Sequence, residues 1–384
     1  IVPSDSYLKF LRFFIVLFNR NLGENVLEEY RDEIYGISLS CTHKYDFIGT
    51  PYERQLNYHS AHDLGHAMQD YMLVGCSSFA TWGTQSADSS LLIGRNFDFY
   101  VGDAFAENKQ VAFYVPEQGY RFASVGWPGM IGVLSGMNET GLTVTINAAK
   151  SAVPTGSATP ISILTREILQ YAATIDEAFA IAQNRETFVS ESILIGSAKD
   201  GKAAIIEKSP EKTVLFTGKE ANRLICTNHY QSEEFSKDER NMENIRTSDS
   251  PYRFARLTEL INEDLPIDVS KAASILRDHK GLQNTDLGLA NEMAINQFIA
   301  HHSVIFQPEK QLMWVSTSPW QCGKYVAYDL NKIFKDTIDW QHEIYSSALT
   351  IPEDKFIDAP EFQHLLTYKK LTPLLLKKIR KRKR

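Results

Sequence analysis

The feature that most constrains this chain is a rhythm of short β-prone runs broken by turn residues. Ser89-Ser-Leu-Leu-Ile-Gly94, Gln110-Val-Ala-Phe-Tyr-Val115, Ile131-Gly-Val-Leu-Ser135 and Leu142-Thr-Val-Thr-Ile146 are each too short for a helix and rich in apolar residues, many of them β-branched or aromatic. Asn138-Glu-Thr-Gly141 is a turn former between the last two. The succession predicts an antiparallel meander between Cys76 and Asn147. Over 162–183 the period changes, and Ile163, Leu164, Ile168, Leu169 and Ala172 recur at helical spacing. Strand-like runs return at 192–196, 203–207, 213–216 and 224–227 and read as a second sheet. The polar stretch 231–250 reads as an exposed loop. Helices are expected over 251–263 and 268–278, then a hairpin of 304–306 with 312–316 around Pro308-Glu-Lys310. Strands and helices arriving in blocks fit an α+β layered sandwich rather than a βαβ repeat.

The chain has 384 residues, 43% of them hydrophobic and 11% aromatic, which suffices for one large buried core with appendages. A formal net charge of −7 excludes a generally basic nucleic-acid binder, so no nucleic-acid partner is expected. Cysteines at 41, 76, 226 and 322 are far apart and form no CxxC pair, which suggests neither a zinc ribbon nor a dense disulfide framework. No run of apolar residues is long enough to span a bilayer; the nearest, Phe10 to Phe18, is short and broken by Arg12. Residues 6–35 read as helical, with Leu8, Leu11, Phe14, Ile15 and Phe18 forming a face that suits docking on the core better than a lipid surface. A start at Ile1 rather than Met reads as a mature or trimmed form whose targeting signal is gone, exported or membrane-associated.

Within this frame the stretch Leu73-Val-Gly-Cys-Ser-Ser-Phe-Ala80 is chemically conspicuous. A thiol attacks well only when something takes its proton or lowers its pKa, and no histidine adjoins Cys76 in sequence. Cutting the Gly75–Cys76 bond would solve this. The new α-amine, with a reference pKa of about 8, could serve as the thiol's own base. Arg95 and Asp98 lie three apart on an expected strand running into a turn. One can hold charge near a thiolate, and the other can accept hydrogen bonds from an α-ammonium or a thiol. Asn147 ends a strand and could donate to an oxyanion or orient the amine. The aromatics Phe79, Trp82, Phe97, Phe99, Trp127 and Tyr230 are mostly ordinary core, with a few available for an acyl pocket.

Cys76, the Gly-Arg-Asn-x-Asp run at 94–98, Gly141-Leu-Thr-Val-Thr-Ile-Asn147 and Thr227-Asn-His-Tyr230 together resemble the cysteine branch of the N-terminal-nucleophile hydrolases. Within it the chain is most similar to the autoproteolytic acyl-CoA:6-aminopenicillanic acid acyltransferases, and more distantly to choloylglycine hydrolases, penicillin V acylases and acid ceramidase. The resemblance implies a four-layer αββα sandwich. It implies a self-cleaving precursor in which residues 1–75, a helical pro-segment, stay associated with a catalytic domain over 76–330 as a heterodimer. It also implies an amidohydrolase or acyltransferase that works on N-acyl amides or acyl thioesters through an acyl-enzyme on Cys76, with no metal or organic cofactor. Arg95 and Asp98 match the family's active-site Arg-x-x-Asp. Asn228 matches its oxyanion donor, and Arg253 matches its distal arginine, with Arg256 as the competing position. The spacing from Cys76 to Arg95 is longer than in the ceramidase and bile-salt enzymes, implying a longer first hairpin.

Two other readings stand beside this one. His59, His62 and His66, at i, i+3 and i+7, could share a helix face and hold zinc for a metal-dependent hydrolase, although a polar helix feeding the Cys76 strand, with capping or hydrogen-bonded histidines, explains them better. Alternatively the chain is a catalytically idle member acting as a membrane-associated binding protein. Residues 331–384 read as an extension whose end, 369–384, interleaves leucines with lysine and arginine; this suits peripheral contact with an anionic membrane and a solvated, disordered tail equally.

Overall fold

A seven-stranded antiparallel sheet is assembled around the hairpin that follows Cys76. The computed structural model describes residues 8–9, 12–13, 19, 21–60, 63, 73–100, 102–152, 157–335 and 344–382. Its strands are β1 (Leu73–Val74), β2 (Ser77–Thr81), β3 (Leu92–Phe97), β4 (Phe99–Tyr100), β5 (Gln110–Tyr114), β6 (Phe122–Gly126), β7 (Ser135–Asn138) and β8 (Leu142–Ala148). There follow β9 (Glu191–Ser197), β10 (Lys202–Lys208), β11 (Thr213–Phe216), β12 (Arg223–Cys226), β13 (His302–Gln307), β14 (Leu312–Ser316), β15 (Tyr325–Asp329) and β16 (Ser346–Ile351). The main helices are α1 (Glu28–Ser38), α2 (Pro51–His59), α3 (Ile161–Tyr171), α4 (Ile175–Gln183), α5 (Glu239–Thr247), α6 (Ser250–Asp264), α7 (Val269–Arg277) and α8 (Pro360–Arg382).

One sheet runs β11-β10-β9-β8-β7-β6-β5 and the other β12-β2-β3-β13-β14-β15-β16, with β1 and β4 forming a separate pair. Three apolar clusters define the layers. Ile161, Leu164, Ile168 and Leu169 of α3 with Ile175 and Ala178 of α4 pack on Val144, Ile193 and Ile195 of the first sheet. Ala80, Ile93, Val304 and Met313 of the second sheet meet Ala123, Met137, Leu194 and Ile205 of the first. Phe79, Leu92 and Ile305 pack outward against Leu257 and Ile261 of α6 and Ala272 and Leu276 of α7. Helix, sheet, sheet and helix therefore stack in that order, the αββα sandwich that the family resemblance implied.

The period of two decides what each strand presents to each layer. Ala80 and Ile93 face the other sheet, whereas Phe79 and Leu92 face the helices. Gly94 allows that helix layer to close, since a Cβ there would lie 2.6 Å from the Phe79 ring and 3.4 Å from Leu276. The helices start on caps legible in the chemistry. Thr50 Oγ1 accepts from Glu53 N while Glu53 accepts from Thr50 N at 2.7 Å, ahead of Pro51 at the first turn of α2. Thr174 and Glu177 make the same box at α4.

Several sequence expectations are corrected. The stretch from Cys76 to Asn147 is not one meander: β2 and β3 belong to one sheet and β5 to β8 to the other. The runs read as a second sheet divide likewise. β9 to β11 extend the β5–β8 meander, whereas β12 pairs with β2 in the other sheet. The 131–135 run is not itself a strand; Ile131 and Val133 are buried before β7 begins at Ser135. Residues 231–250 are not a loop but carry α5, capped by Asp238, whose Oδ1 accepts from Asn241 N at 2.9 Å. Within 6–35 the described residues 8–9 and 12–13 are helical, but the stretch is not one helix: a 3-10 turn at Leu22–Asn25 and a break at Leu27, whose ψ is 149°, precede α1. Phe10, Leu11, Phe14, Ile15 and Phe18 lie outside the described residues.

Residues 331–384 are woven into the fold: β16 adds the seventh strand to the second sheet, and Phe362 and Leu365 of α8 pack with Phe298 and Cys322. The helix begins at Pro360. Most basic side chains of its end lie outside the described residues. No described helix is long and apolar enough to cross a membrane.

Candidate active site

Cys76 sits at the mouth of β2 with its side chain buried between the sheets. β3 lies beside β2 in a register that sets Ser78 opposite Arg95, so the same inter-sheet face presents Arg95. Arg95 is fully buried, and a buried guanidinium must have its donors satisfied. Nη1 donates to Ser135 Oγ at 2.7 Å and lies 3.1 Å from His302 Nε2. Nη2 donates to the Ile146 carbonyl and, at 3.8 Å, to Cys76 Sγ. Its guanidinium also stacks 4.3 Å from the Phe97 ring. Burial and the nearby Arg95 cation hold His302 well below its ordinary pKa and therefore neutral. With Nε2 accepting from Arg95, its proton falls on Nδ1, which lies 2.9 Å from His301 Nδ1.

Arg253, from the first turns of α6, approaches from the other side. Nη1 donates to the Cys76 carbonyl at 2.6 Å and to Ser77 Oγ at 2.9 Å, and Nη2 donates to Asn228 Oδ1 at 2.8 Å. Arg256 does not enter this group; its guanidinium is held by Glu259 at 2.7 Å and Asp278 at 2.9 Å. Asn228 follows β12, donates its amide to the Ala148 carbonyl at 2.9 Å, and is fixed by Ser250 Oγ accepting its N–H at 2.7 Å. Asn147, on β8, bridges the sheets: Nδ2 donates to the Cys226 carbonyl at 2.8 Å and Oδ1 accepts from Ser78 Oγ at 2.9 Å.

Asp98 is buried, its backbone carbonyl accepts from Gly75 N at 2.9 Å, and neither of its carboxylate oxygens finds a hydrogen-bond donor among the described residues. Burial pushes its carboxyl up to about 7, against the pull of Arg253 and Arg95. Burial likewise pushes the Cys76 thiol up to about 11. Arg95 and Arg253 act to lower it, Asp98 and Glu191 to raise it. In the uncut chain the nucleophile is therefore a thiol near neutral pH, and it needs a base.

Cys76, Arg95, Asp98, Asn147, Asn228 and Arg253 thus come together from β2, β3, β8, the segment after β12, and α6. Gln297, which no motif marked, joins them: Nε2 donates to the Gly75 carbonyl at 3.1 Å. A cavity of about 230 Å³ opens on this bond, lined by Gly75, Asn228, Arg253 and Gln297, with Lys150 and Glu292 among its other walls. Ser135 and His302 were also unmarked.

His59 is structural. Nε2 accepts from Ile131 N at 3.0 Å, Nδ1 lies 2.8 Å from the Gln55 carbonyl, and burial lowers its pKa to about 4. Both ring nitrogens are therefore occupied. His62 and His66 lie outside the described residues. No group of three or more His, Cys, Asp or Glu among the described residues is placed to hold a metal. All four cysteines are free.

Two antiparallel sheets thus lie between helix layers, with Cys76 leading a strand that is buried between them. The chain belongs to the acyl-coenzyme A:6-aminopenicillanic acid acyl-transferase family, which its residues 84–317, more than half its length, match. The match begins just after Cys76. Among curated relatives it is 24% identical over 336 residues to an uncharacterized protein of Archaeoglobus fulgidus, covering 78% of this chain and 55% of that one. It is 24% identical over 188 residues to protein dcd1B of Dictyostelium discoideum, covering 48% of this chain and 35% of that one. The chain thus spans only about half, or less, of the length of the curated relatives it matches.

Among solved structures it is similar to a Caenorhabditis elegans ortholog of N-acylethanolamine-hydrolyzing acid amidase. That likeness has a TM-score of 0.44 at 17% identity over 61% of this chain and 93% of that one. Penicillin V acylase from Agrobacterium tumefaciens is similar with a TM-score of 0.45 at 15% identity over 67% of this chain and 87% of that one. A mutant conjugated bile acid hydrolase from Clostridium perfringens gives a TM-score of 0.44 at 15% identity, covering 73% and 97%. Family membership supports amide hydrolysis or acyl transfer as the reaction class.

Proposed function

We propose that the chain is an autoproteolytically activated cysteine amidohydrolase or acyltransferase of linear N-acyl amides. One observation carries this reading: three side chains from distant parts of the chain converge on Gly75 and Cys76, Arg95 on the Cys76 sulfur, Arg253 on the Cys76 carbonyl and Gln297 on the Gly75 carbonyl. A merely structural buried cysteine needs no such company.

In the first step Cys76 Sγ adds to the Gly75 carbonyl carbon. The C–N bond breaks, the thiol's proton ends on the departing nitrogen, and a thioester forms; water then releases the Gly75 carboxylate. Cys76 is left with a free α-amine. Asp98, whose carboxylate oxygens lack donors in the uncut chain, takes hydrogen bonds from that amine. The amine then acts as base for each turnover. Sγ attacks the substrate's acyl carbon, Asn228 and a backbone N–H hold the oxyanion, the amine product leaves with a proton from the α-ammonium, and the acyl group passes to water or to an acceptor amine.

The two fragments stay together. Val26, Tyr30 and Ile34 pack with Ile131 and Ile163, Arg166 pairs with Glu33 at 3.1 Å, and Asp63 accepts from Ile161 N at 3.0 Å. The test is to incubate the purified protein with an N-acyl amino acid, penicillin V, a bile-salt amide or an acyl thioester and then map adducts by mass spectrometry. An acyl mass on Cys76, absent in Cys76→Ala, is the expected result. Turnover without an adduct at Cys76, or turnover by Cys76→Ala, removes the assignment.

A further inference from the structure

We infer that Gln297 is the oxyanion donor of the self-cleavage step, a role that rests on the cleavage proposed above. When Sγ adds to the Gly75 carbon, the carbonyl π pair moves onto the Gly75 oxygen. A negative charge created in a buried site must meet a donor already in place. The donor on that oxygen is Gln297 Nε2, at 3.1 Å. Gln297 is itself buried and lines the same cavity as Gly75.

The sequence around the contact is shaped for it. A Cβ at residue 75 would stand 2.4 Å from Gln297 Nε2 and 2.9 Å from its Oε1, so glycine is what lets the amide reach the carbonyl. The segment holding Gln297 is irregular but pinned on both sides. Asn296 N donates to the Asp278 carbonyl at 2.7 Å, and Asn296 Oδ1 accepts from Phe298 N at 3.0 Å. Phe298 is fully buried with φ of 53°, a left-handed conformation a phenylalanine keeps only where its surroundings fix it. Those surroundings are Trp320, Phe356 and Phe362, so the C-terminal segment buttresses the donor. Gln297 thus touches the reacting carbonyl from a rigid support, as a preorganised donor must.

The experiment follows cleavage of the full-length chain by intact mass, with folding of each variant checked by circular dichroism. Gln297→Ala should slow appearance of the 76–384 fragment by about 10²–10³-fold, the usual effect of losing one oxyanion donor. Gln297→Glu keeps the shape but donates only while protonated. Its cleavage rate relative to wild type should therefore be highest at acid pH and fall as pH rises, which a purely structural role would not produce. Gly75→Ala should be slow in the wild-type background and add no further loss in Gln297→Ala, where the colliding amide is gone. Folded Gln297→Ala that cleaves at the wild-type rate, or a Gln297→Glu ratio that does not change with pH, overturns the assignment of Gln297 alone. A wild-type chain that never cleaves overturns this inference together with the reading it rests on.

Discussion

Asp98→Asn, made in a Cys76→Ala background so that both proteins stay uncut, isolates the strain stored at the site. Asp98 is fully buried, and burial raises its carboxyl from 3.8 to about 7. A shift of about 3 units is worth ~4 kcal/mol between the protonation states. The native pKa lies above the unfolded one, so between pH ~4 and ~7 the native state holds a proton that the unfolded state has lost. Stability therefore falls as pH rises through that window and is level above it. Asparagine carries no such proton. Asp63, Glu191 and Glu207 are also raised by burial, so the informative quantity is the difference between the two proteins. Urea unfolding at pH 4, 6 and 8 should show near-equal stabilities at pH 4, with the Asp98→Asn protein more stable by up to ~4 kcal/mol at pH 8. A gap that does not change with pH would refute the reasoning, because the carboxyl would then not be a charge stored in a dry site.

Asp98→Asn in the otherwise native chain should also block self-cleavage, read by intact mass. Arg253→Lys should abolish cleavage in a folded protein, because a single ammonium cannot reproduce the fork to the Cys76 carbonyl, Ser77 Oγ and Asn228 Oδ1; a normal fragment pattern would contradict that. Asn228→Ala, once cleaved, should lose on the order of 10²–10³ in turnover, and unchanged turnover would remove it from the mechanism. His59→Ala should lower stability by about 1–3 kcal/mol by orphaning the buried Ile131 N–H, while chelators leave activity untouched. A chelator-sensitive enzyme would reopen the metal reading.

Much of this architecture was legible because strands buried on both sides declare themselves as short apolar runs, and the α6–α7 pair and the β13–β14 hairpin fell where periodicity put them. Sheet membership was not legible. β12 pairs with β2, Cys226 opposite Ser78, and nothing local to either strand specifies a partner so far away in sequence. α5 was hidden because its buried face is polar. Asn241 Oδ1 accepts from Tyr230 N at 2.9 Å and Asn244 Nδ2 donates to the Asn228 carbonyl at 2.6 Å, so the helix carries no apolar stripe to read. The six candidate residues were put forward on motifs, and each lies on or beside a regular element. Gln297, which reaches the Gly75 carbonyl, went unmarked because it lies on an irregular segment, where a side chain's direction follows tertiary anchors such as Phe298 rather than any sequence period.

The central claim, that Cys76 works as an N-terminus, is tested most directly by intact-mass and N-terminal analysis of the active purified protein. The account predicts two associated fragments, one ending at Gly75 and the other beginning Cys76-Ser-Ser-Phe, with Cys76→Ala uncut and inactive. A wild-type protein that turns over substrate while every molecule remains a single uncut chain would contradict it.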